Sequence, residues 1–234
     1  MSLRPATTAA LEAAGLDPDA IESLVRAAVT EDLGGGVDVT SAATVPVEQR
    51  STLDLVARAS GVVAGIPVAA AVFDVVCDPD ADIEVVSADG TRVVRGDVLL
   101  TVTGRTQQLL TAERSALNLM CHLSGVATAT AAWADALEGS GTRVRDTRKT
   151  TPGLRVLEKY AVRCGGGVNH RMFLSDAALV KDNHVVAAGG VAAAFEKVRA
   201  MWPGLPVEVE VDSLAQLTEV LDAGADLVLL DNFT

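Results

Sequence analysis

Arg143-Val144-Arg145-Asp146-Thr147-Arg148-Lys149-Thr150-Thr151-Pro152-Gly153 places five charged groups and three hydroxyls ahead of a Pro-Gly stop. An apolar run precedes it and a helical pattern at 154–162 follows. The stretch therefore reads as a strand that leaves a helix and ends at Arg148-Lys149. The same grammar recurs downstream. Val180-Lys181-Asp182 closes 177–180, Glu210-Val211-Asp212 closes 207–209, and Asp231-Asn232 closes 227–230. Each β-rich segment delivers a charge at its C-terminal end, with helix-like segments between. Parallel α/β barrels build their active sites at that end. The expected architecture is α/β: an N-terminal α/β sandwich domain with a long connecting helix over 1–124, then an α/β barrel over 125–234.

Charge is unevenly spread. The net charge of −12 conceals ten Lys/Arg against five Asp/Glu between Arg114 and Lys181, with nine against twenty-six elsewhere. An acidic chain that gathers its cations in one stretch fits a small anionic ligand better than nucleic acid, whose binders are basic over a whole face. A solvated basic surface is the alternative. The longest apolar run, 61–76, contains Pro67 and Asp74 and is shorter than the ~20 residues of a membrane span. Neither a membrane span nor a signal peptide is expected. Cys77, Cys121 and Cys164 are far apart, which favours reduced thiols in the cytoplasm over a disulfide frame or a zinc site.

Before the barrel, residues 7–15 and 19–30 alternate at helical spacing, with Asp17 or Asp19 as N-cap and Pro18 in the first turn. Gly34-Gly35-Gly36 follows no strand and reads as a connection. Residues 51–59 form a strand, and an apolar helix starts at Pro67. Short strands joined by turns occupy 83–102. Asp89-Gly90-x-x-Val93-x-x-Gly96-Asp97-x-Leu99 looks like the hammerhead hairpin of biotinyl and lipoyl carriers. Those domains carry a lysine at the hairpin tip, and the first lysine here is Lys149, so a carrier role is excluded. The longest helical region is 111–137, with Gly125 as a candidate break. His122 in its apolar stripe reads as a helix contact rather than a ligand. Gly165-Gly166-Gly167 beside His170-Arg171 reads as backbone able to approach a ligand closely. Helices at 192–202 and 213–223 carry a Ser213 N-cap and a Gly224 stop. His184 fits a capping or surface role better than a catalytic one.

The candidate site gathers Arg148, Lys149, Arg171 and Lys181 as cations, with Glu210 and Asp231 as isolated carboxylates. Arg offers a bidentate fork to carboxylate or phosphate, and Lys a mobile point charge. Val207, Val209 and Val211 lie on one face of their strand, so Glu208 and Glu210 share the other. A multiply anionic substrate with hydroxyls or bound Mg²⁺ suits that set. The alternative is an internal salt-bridge network around Lys181.

Seven motifs occur in order: Glu31-Asp32…Asp38-Val39-Thr40; Thr111-Ala112-Glu113-Arg114…Ser124-Gly125; Asp146-Thr147-Arg148-Lys149-Thr150; Lys159-Tyr160-Ala161-Val162…Asn169-His170-Arg171; Lys181-Asp182-Asn183-His184; Glu208-Val209-Glu210; and Leu230-Asp231-Asn232. Together they resemble the quinolinate phosphoribosyltransferase family, of the type II phosphoribosyltransferases. The resemblance implies a hammerhead-like domain, a barrel, and a homodimer or larger assembly. It implies transfer of phosphoribosyl from phosphoribosyl pyrophosphate to quinolinate with loss of CO₂, using Mg²⁺. By motif, Thr147, Arg148, Lys149, His170, Arg171 and Lys181 bind the carboxylates and phosphates, with Lys149, Lys181, Glu210 and Asp231 as the catalytic set. Glu210 and Asp231 face the ribose hydroxyls and the metal, while Arg114 is contributed by the partner subunit. The family continues past the motif at Asp231 with glycine-rich strand ends for the donor's 5′-phosphate. The natural chain is therefore expected to extend by roughly two more units of ~30 residues each. Two rivals stand beside this reading: a Schiff-base aldolase using Lys181, and a non-catalytic binder of anionic metabolites.

Overall fold

The computed structural model describes residues 3–77 and 79–233. The chain divides into two units, Met1–His170 and Arg171–Thr234.

The first unit opens with helices α1 (Pro5–Ala13), α2 (Pro18–Leu33) and α3 (Val39–Thr44). Asp17 accepts from the Asp19 N–H at 3.0 Å to cap α2, and Gly34 ends that helix at φ 57°. Asp38 does the same for α3 through Thr40 N and Ser41 N. That short helix, which follows the Gly34-Gly35-Gly36 connection, was not among the expected elements. Next come strands β1 (Arg50–Val56) and β2 (Gly61–Val62), helix α4 (Ile66–Val76), and strands β3 (Asp82–Val85), β4 (Arg92–Val93) and β5 (Val98–Arg105). β5 lies antiparallel between β1 and β3, and β2 pairs antiparallel with β4.

Helix α4 is buried on nearly every side, with Val68, Val72 and Phe73 fully enclosed. Each such side chain contributes ~1.5–3 kcal/mol by leaving water. The helix has no N-cap side chain of its own. Asp89 supplies the acceptor from the β3–β4 turn, taking Gly65 N at 2.8 Å and Ile66 N at 3.0 Å.

Helix α5 (Thr106–Ala136) runs unbroken through Gly125, contrary to the expected break. A mid-helix glycine weakens a helix by only ~1 kcal/mol relative to alanine, and here tertiary contacts hold both flanks. Ser124 Oγ accepts from Ala64 N at 3.0 Å, and Thr128 Oγ1 accepts from Val62 N at 2.9 Å. Helix α6 (Arg155–Cys164) packs against α5.

Two sequence expectations in this unit need correction. The stretch 143–148 forms no strand; it makes a single parallel bridge, Arg145 to Val168. Beyond it the chain curls, with Thr147 Oγ1 accepting from Lys149 N at 3.0 Å, so the ladder cannot extend. The glycine run also serves a different purpose from close approach to a ligand. A Cβ on Gly165 would lie 2.3 Å from the Ala127 carbonyl oxygen, and one on Gly167 would lie 2.8 Å from Thr130 Cγ2. These glycines let the turn sit directly on α5.

The second unit holds β6 (Ala178–Val180), α7 (Asp182–Ala188), α8 (Val191–Met201), β7 (Val207–Val211), α9 (Leu214–Asp222) and β8 (Leu227–Leu230). The three strands form a parallel sheet in the order β6-β7-β8. Val207, Val209 and Val211 are buried in a core with Phe195 of α8 and Val220 of α9. Glu208 and Glu210 therefore take the opposite face, as strand alternation requires. Ser213 caps α9 and Gly224 follows it at φ 86°, both as the sequence indicated.

Candidate active site

In the first unit, the Arg148-Lys149 strip hangs from one carboxylate. Asp146 accepts from His170 N at 2.7 Å and from Asn169 Nδ2 at 2.6 Å, and it forms a buried ion pair with Lys159 of α6. The backbone adds Asp146 N to Val168 O at 3.1 Å and Val168 N to Val144 O at 2.9 Å. Farther along, the Thr151 N–H donates to Glu158 Oε2 at 3.1 Å, and Glu158 Oε1 meets His122 Nε2 of α5 at 2.8 Å. Burial pushes the Glu158 carboxyl up, but the Thr151 and His122 hydrogen bonds outweigh it and hold it below the usual range. His122 is thus the helix contact its sequence position indicated.

Two cations on this frame stand apart from its ion pairs. Arg148 and Lys149 form no ion pair among the described residues, and the Arg148 Nε is buried with no hydrogen-bond acceptor. A buried guanidinium N–H left without an acceptor is unfavourable unless a ligand supplies one. Thr147 is exposed and ties down the turn. Arg114 is exposed on α5, at the rim of a groove of about 790 Å³ that also includes Leu53, Arg58 and Val93. It too forms no ion pair among the described residues.

Tyr160, next to Lys159, donates to Asp89 at 2.6 Å. Burial, reinforced by the neighbouring Asp89 charge, pushes its hydroxyl far above the ordinary tyrosine range. Burial also raises Asp89, more than the Tyr160, Ile66 and Gly65 donors lower it. One turn of α6 therefore links the strip to the cap of α4.

In the second unit, Lys181 follows β6 and Glu210 sits on β7. Lys181 Nζ donates to Glu210 Oε2 at 3.0 Å, so the internal pair foreseen as the alternative does form. His184 Nδ1 accepts from Lys181 N at 2.9 Å and caps α7, the role its position indicated. Asp231 follows β8, and its N–H donates to Val211 O at 2.9 Å, which fixes it beside the end of β7. Asn232 adopts φ 58° and donates to Asp231 Oδ2 at 2.8 Å. Arg171 donates to Ala177 O at 2.8 Å. Burial opposes ionisation of Asp176, yet the backbone N–H groups of Met172, Phe173, Asp176 and Ala177 hold it below the usual range.

The model of the quinolinate phosphoribosyl transferase N-terminal domain matches residues 38–124, and that of the C-terminal domain matches 126–234. The chain belongs to the quinolinate phosphoribosyltransferase family. A nicotinate-nucleotide pyrophosphorylase (carboxylating) of Mycobacterium leprae is 53% identical over 216 residues, covering 92% of this chain and 76% of that protein. Quinolinate phosphoribosyltransferase (decarboxylating) 1 of Nicotiana glauca is 40% identical over 226 residues, 93% of this chain and 64% of that one. The crystal structure of NadC from Streptococcus pyogenes superposes with a TM-score of 0.89 at 43% identity, over 94% of this chain and 77% of that one.

Within this family member, sequence reasoning named the cations and missed what holds them. Asp146, Lys159, Glu158 and Asn169 received no role. The available signal was Lys159 beside Leu157, Tyr160 and Ala161, a charged residue inside the buried stripe of a helix.

Proposed function

We propose that the chain transfers the phosphoribosyl group of phosphoribosyl pyrophosphate to the nitrogen of quinolinate, releasing pyrophosphate and CO₂ and leaving nicotinate mononucleotide, a step of NAD biosynthesis. The observation that carries the reading is the pair Arg148-Lys149, held on an ordered frame with no counter-ion among the described residues. Quinolinate brings two carboxylates to such a site. Arg148, Lys149, His170, Arg171 and Lys181 take the carboxylates and phosphates, and Thr147 shapes the turn from which Arg148 and Lys149 rise.

Attack of the pyridine nitrogen on C1 of the ribose passes through an oxocarbenium-like state. Fixed charge and positioning dominate, and no covalent enzyme intermediate is needed. The alkylated ring nitrogen is then positive. As the bond from C2 to its carboxylate breaks, the electron pair stays on C2 beside that positive nitrogen and takes up a proton. Glu210 and Asp231, on the ends of neighbouring strands, face the ribose hydroxyls. Two carboxylates are also the set that Mg²⁺ takes when substrate phosphates complete its shell. When bound there, Mg²⁺ neutralises charge on the departing diphosphate.

The active assembly is a homodimer or larger, with Arg114 supplied by the partner subunit and working in the cytoplasm. Among the described residues no helix is long and apolar enough to cross a membrane. The aldolase reading fits less well. Lys181 has a side chain 47% exposed and bound to Glu210, unlike the desolvated amine a Schiff base requires.

The test is to mix the protein with quinolinate, the sugar donor and Mg²⁺ and to measure pyrophosphate, CO₂ and nicotinate mononucleotide. Equal release of all three is expected. Quinolinate left intact by folded protein overturns the reading, and borohydride trapping of a substrate on Lys181 would favour the aldolase.

A further inference from the structure

Lys159 is fully buried, and among the described residues no other lysine or arginine is. Burying an ammonium is unfavourable unless it is paired and hydrogen-bonded, and an apolar pair of the same shape is often as stable. Stability alone therefore does not account for a lysine at this position. Its partner Asp146 does. The Asp146 carboxylate is the acceptor that joins its own strip to the 169–170 segment, taking the His170 backbone N–H at 2.7 Å and the Asn169 amide at 2.6 Å. Asn169 also donates to the Lys159 carbonyl at 2.8 Å and accepts from Arg163 Nη1 at 3.0 Å, so the joint closes on α6. The two carboxylate oxygens take these donors and the Lys159 ammonium together.

A carboxylate at that point brings a hazard. It lies two residues from Arg148 and three from Lys149, whose value to an anionic ligand is that no described residue neutralises them. A buried carboxylate lacking a counter-ion would recruit one of them. Lys159 approaches Asp146 from the helix side and removes that need. Helix α6 is itself fixed on either side of Lys159, through Glu158 to Thr151 N at 3.1 Å and through Tyr160 to Asp89 at 2.6 Å.

We propose that Lys159 is a positioning residue for anion binding: it neutralises Asp146, so that Asp146 orders the strip without capturing Arg148 or Lys149. The proposal takes its ligand, quinolinate, from the function proposed above. It differs from a packing role in predicting that removing the Asp146 charge repairs the loss of Lys159.

The experiment compares Lys159→Met, Asp146→Asn and the double variant with the native protein. It uses calorimetric quinolinate titration, steady-state kinetics, thermal melting, and amide exchange over 143–151 and 165–170. Lys159→Met is expected to weaken quinolinate binding by about 10- to 100-fold, the scale of a small misplacement of binding groups. KM should rise more than kcat falls. The double variant, which buries no unpaired charge, should recover most of the affinity. If Lys159→Met does not fold, the double variant decides alone: binding within roughly tenfold of native supports the proposal and a larger loss overturns it. A folded Lys159→Met with native affinity overturns it, as does a double variant no better than the single. If native protein does not bind quinolinate, the proposed function fails separately. The positioning role is then read without ligand: faster amide exchange of the strip in Lys159→Met, slowed again in the double variant, supports it, and unchanged exchange overturns it.

Discussion

Arg148 and Lys149 in the first unit and Lys181 in the second are cations of the same proposed site class, yet their surroundings differ. Arg148 has a buried Nε without an acceptor, on a strip tied to Asp146, Asn169 and His170. Lys181 is already held by Glu210 at 3.0 Å with nearly half its side chain in water. An exposed pair of that kind contributes only ~0–1 kcal/mol, so an arriving anion can displace it at little loss. The first unit offers a binding group that is oriented and waiting. The second offers one that is stored on a carboxylate and can be exchanged. The sharper recognition should therefore come from the first.

The largest expected effect follows. Arg148→Ala should lower kcat/KM for quinolinate by ~2–5 kcal/mol, roughly thirty- to several-thousand-fold, with an unchanged circular dichroism spectrum. Native kinetics from the folded variant would erase the distinction between the two regions. A second test concerns Arg114, another cation with no ion pair among the described residues. Inactive Arg114→Ala and inactive Lys181→Ala chains, mixed, should regain part of the native rate in heterodimers. If mass spectrometry shows subunit exchange and no activity returns, Arg114 does not act across subunits.

Smaller effects probe the frame. Glu158 titrates below its ordinary value in the fold. Its contribution is thus present above the unfolded carboxyl value near 4.5 and is lost as pH falls through the lower folded one. Melting temperature should therefore decline less steeply between neutral and acid pH in Glu158→Gln than in the native protein. Parallel pH profiles would remove Glu158 from the account of the strip. The smallest change is reserved for the stored cation. Glu210→Gln should shift stability by no more than ~1 kcal/mol in urea unfolding. A much larger loss would mean that the Lys181–Glu210 pair is structural.

Local chemistry explains what could be read from the chain. Asp17, Pro18, Ser213 and Gly224 mark helix ends through contacts only a few residues long, and all four sit where expected. Strand alternation likewise placed Glu208 and Glu210 opposite the buried valines. What escaped depends on distant partners. Lys159 on a helix reads as a surface residue until Asp146, thirteen positions away, is known to meet it. The 165–167 glycines resemble a ligand loop because the neighbour they approach, α5, ends nearly thirty residues earlier. The stretch 143–148 has strand composition, but the hydrogen bonds of Asp146 and Thr147 turn it into a strip with one bridge.

The most direct test of the central claim is a crystal of this chain soaked with quinolinate. One carboxylate is predicted to lie within hydrogen-bonding distance of the Arg148 guanidinium, with Asp146 still paired to Lys159. Quinolinate bound without contact to Arg148, or Arg148 folded onto Asp146, would contradict the account.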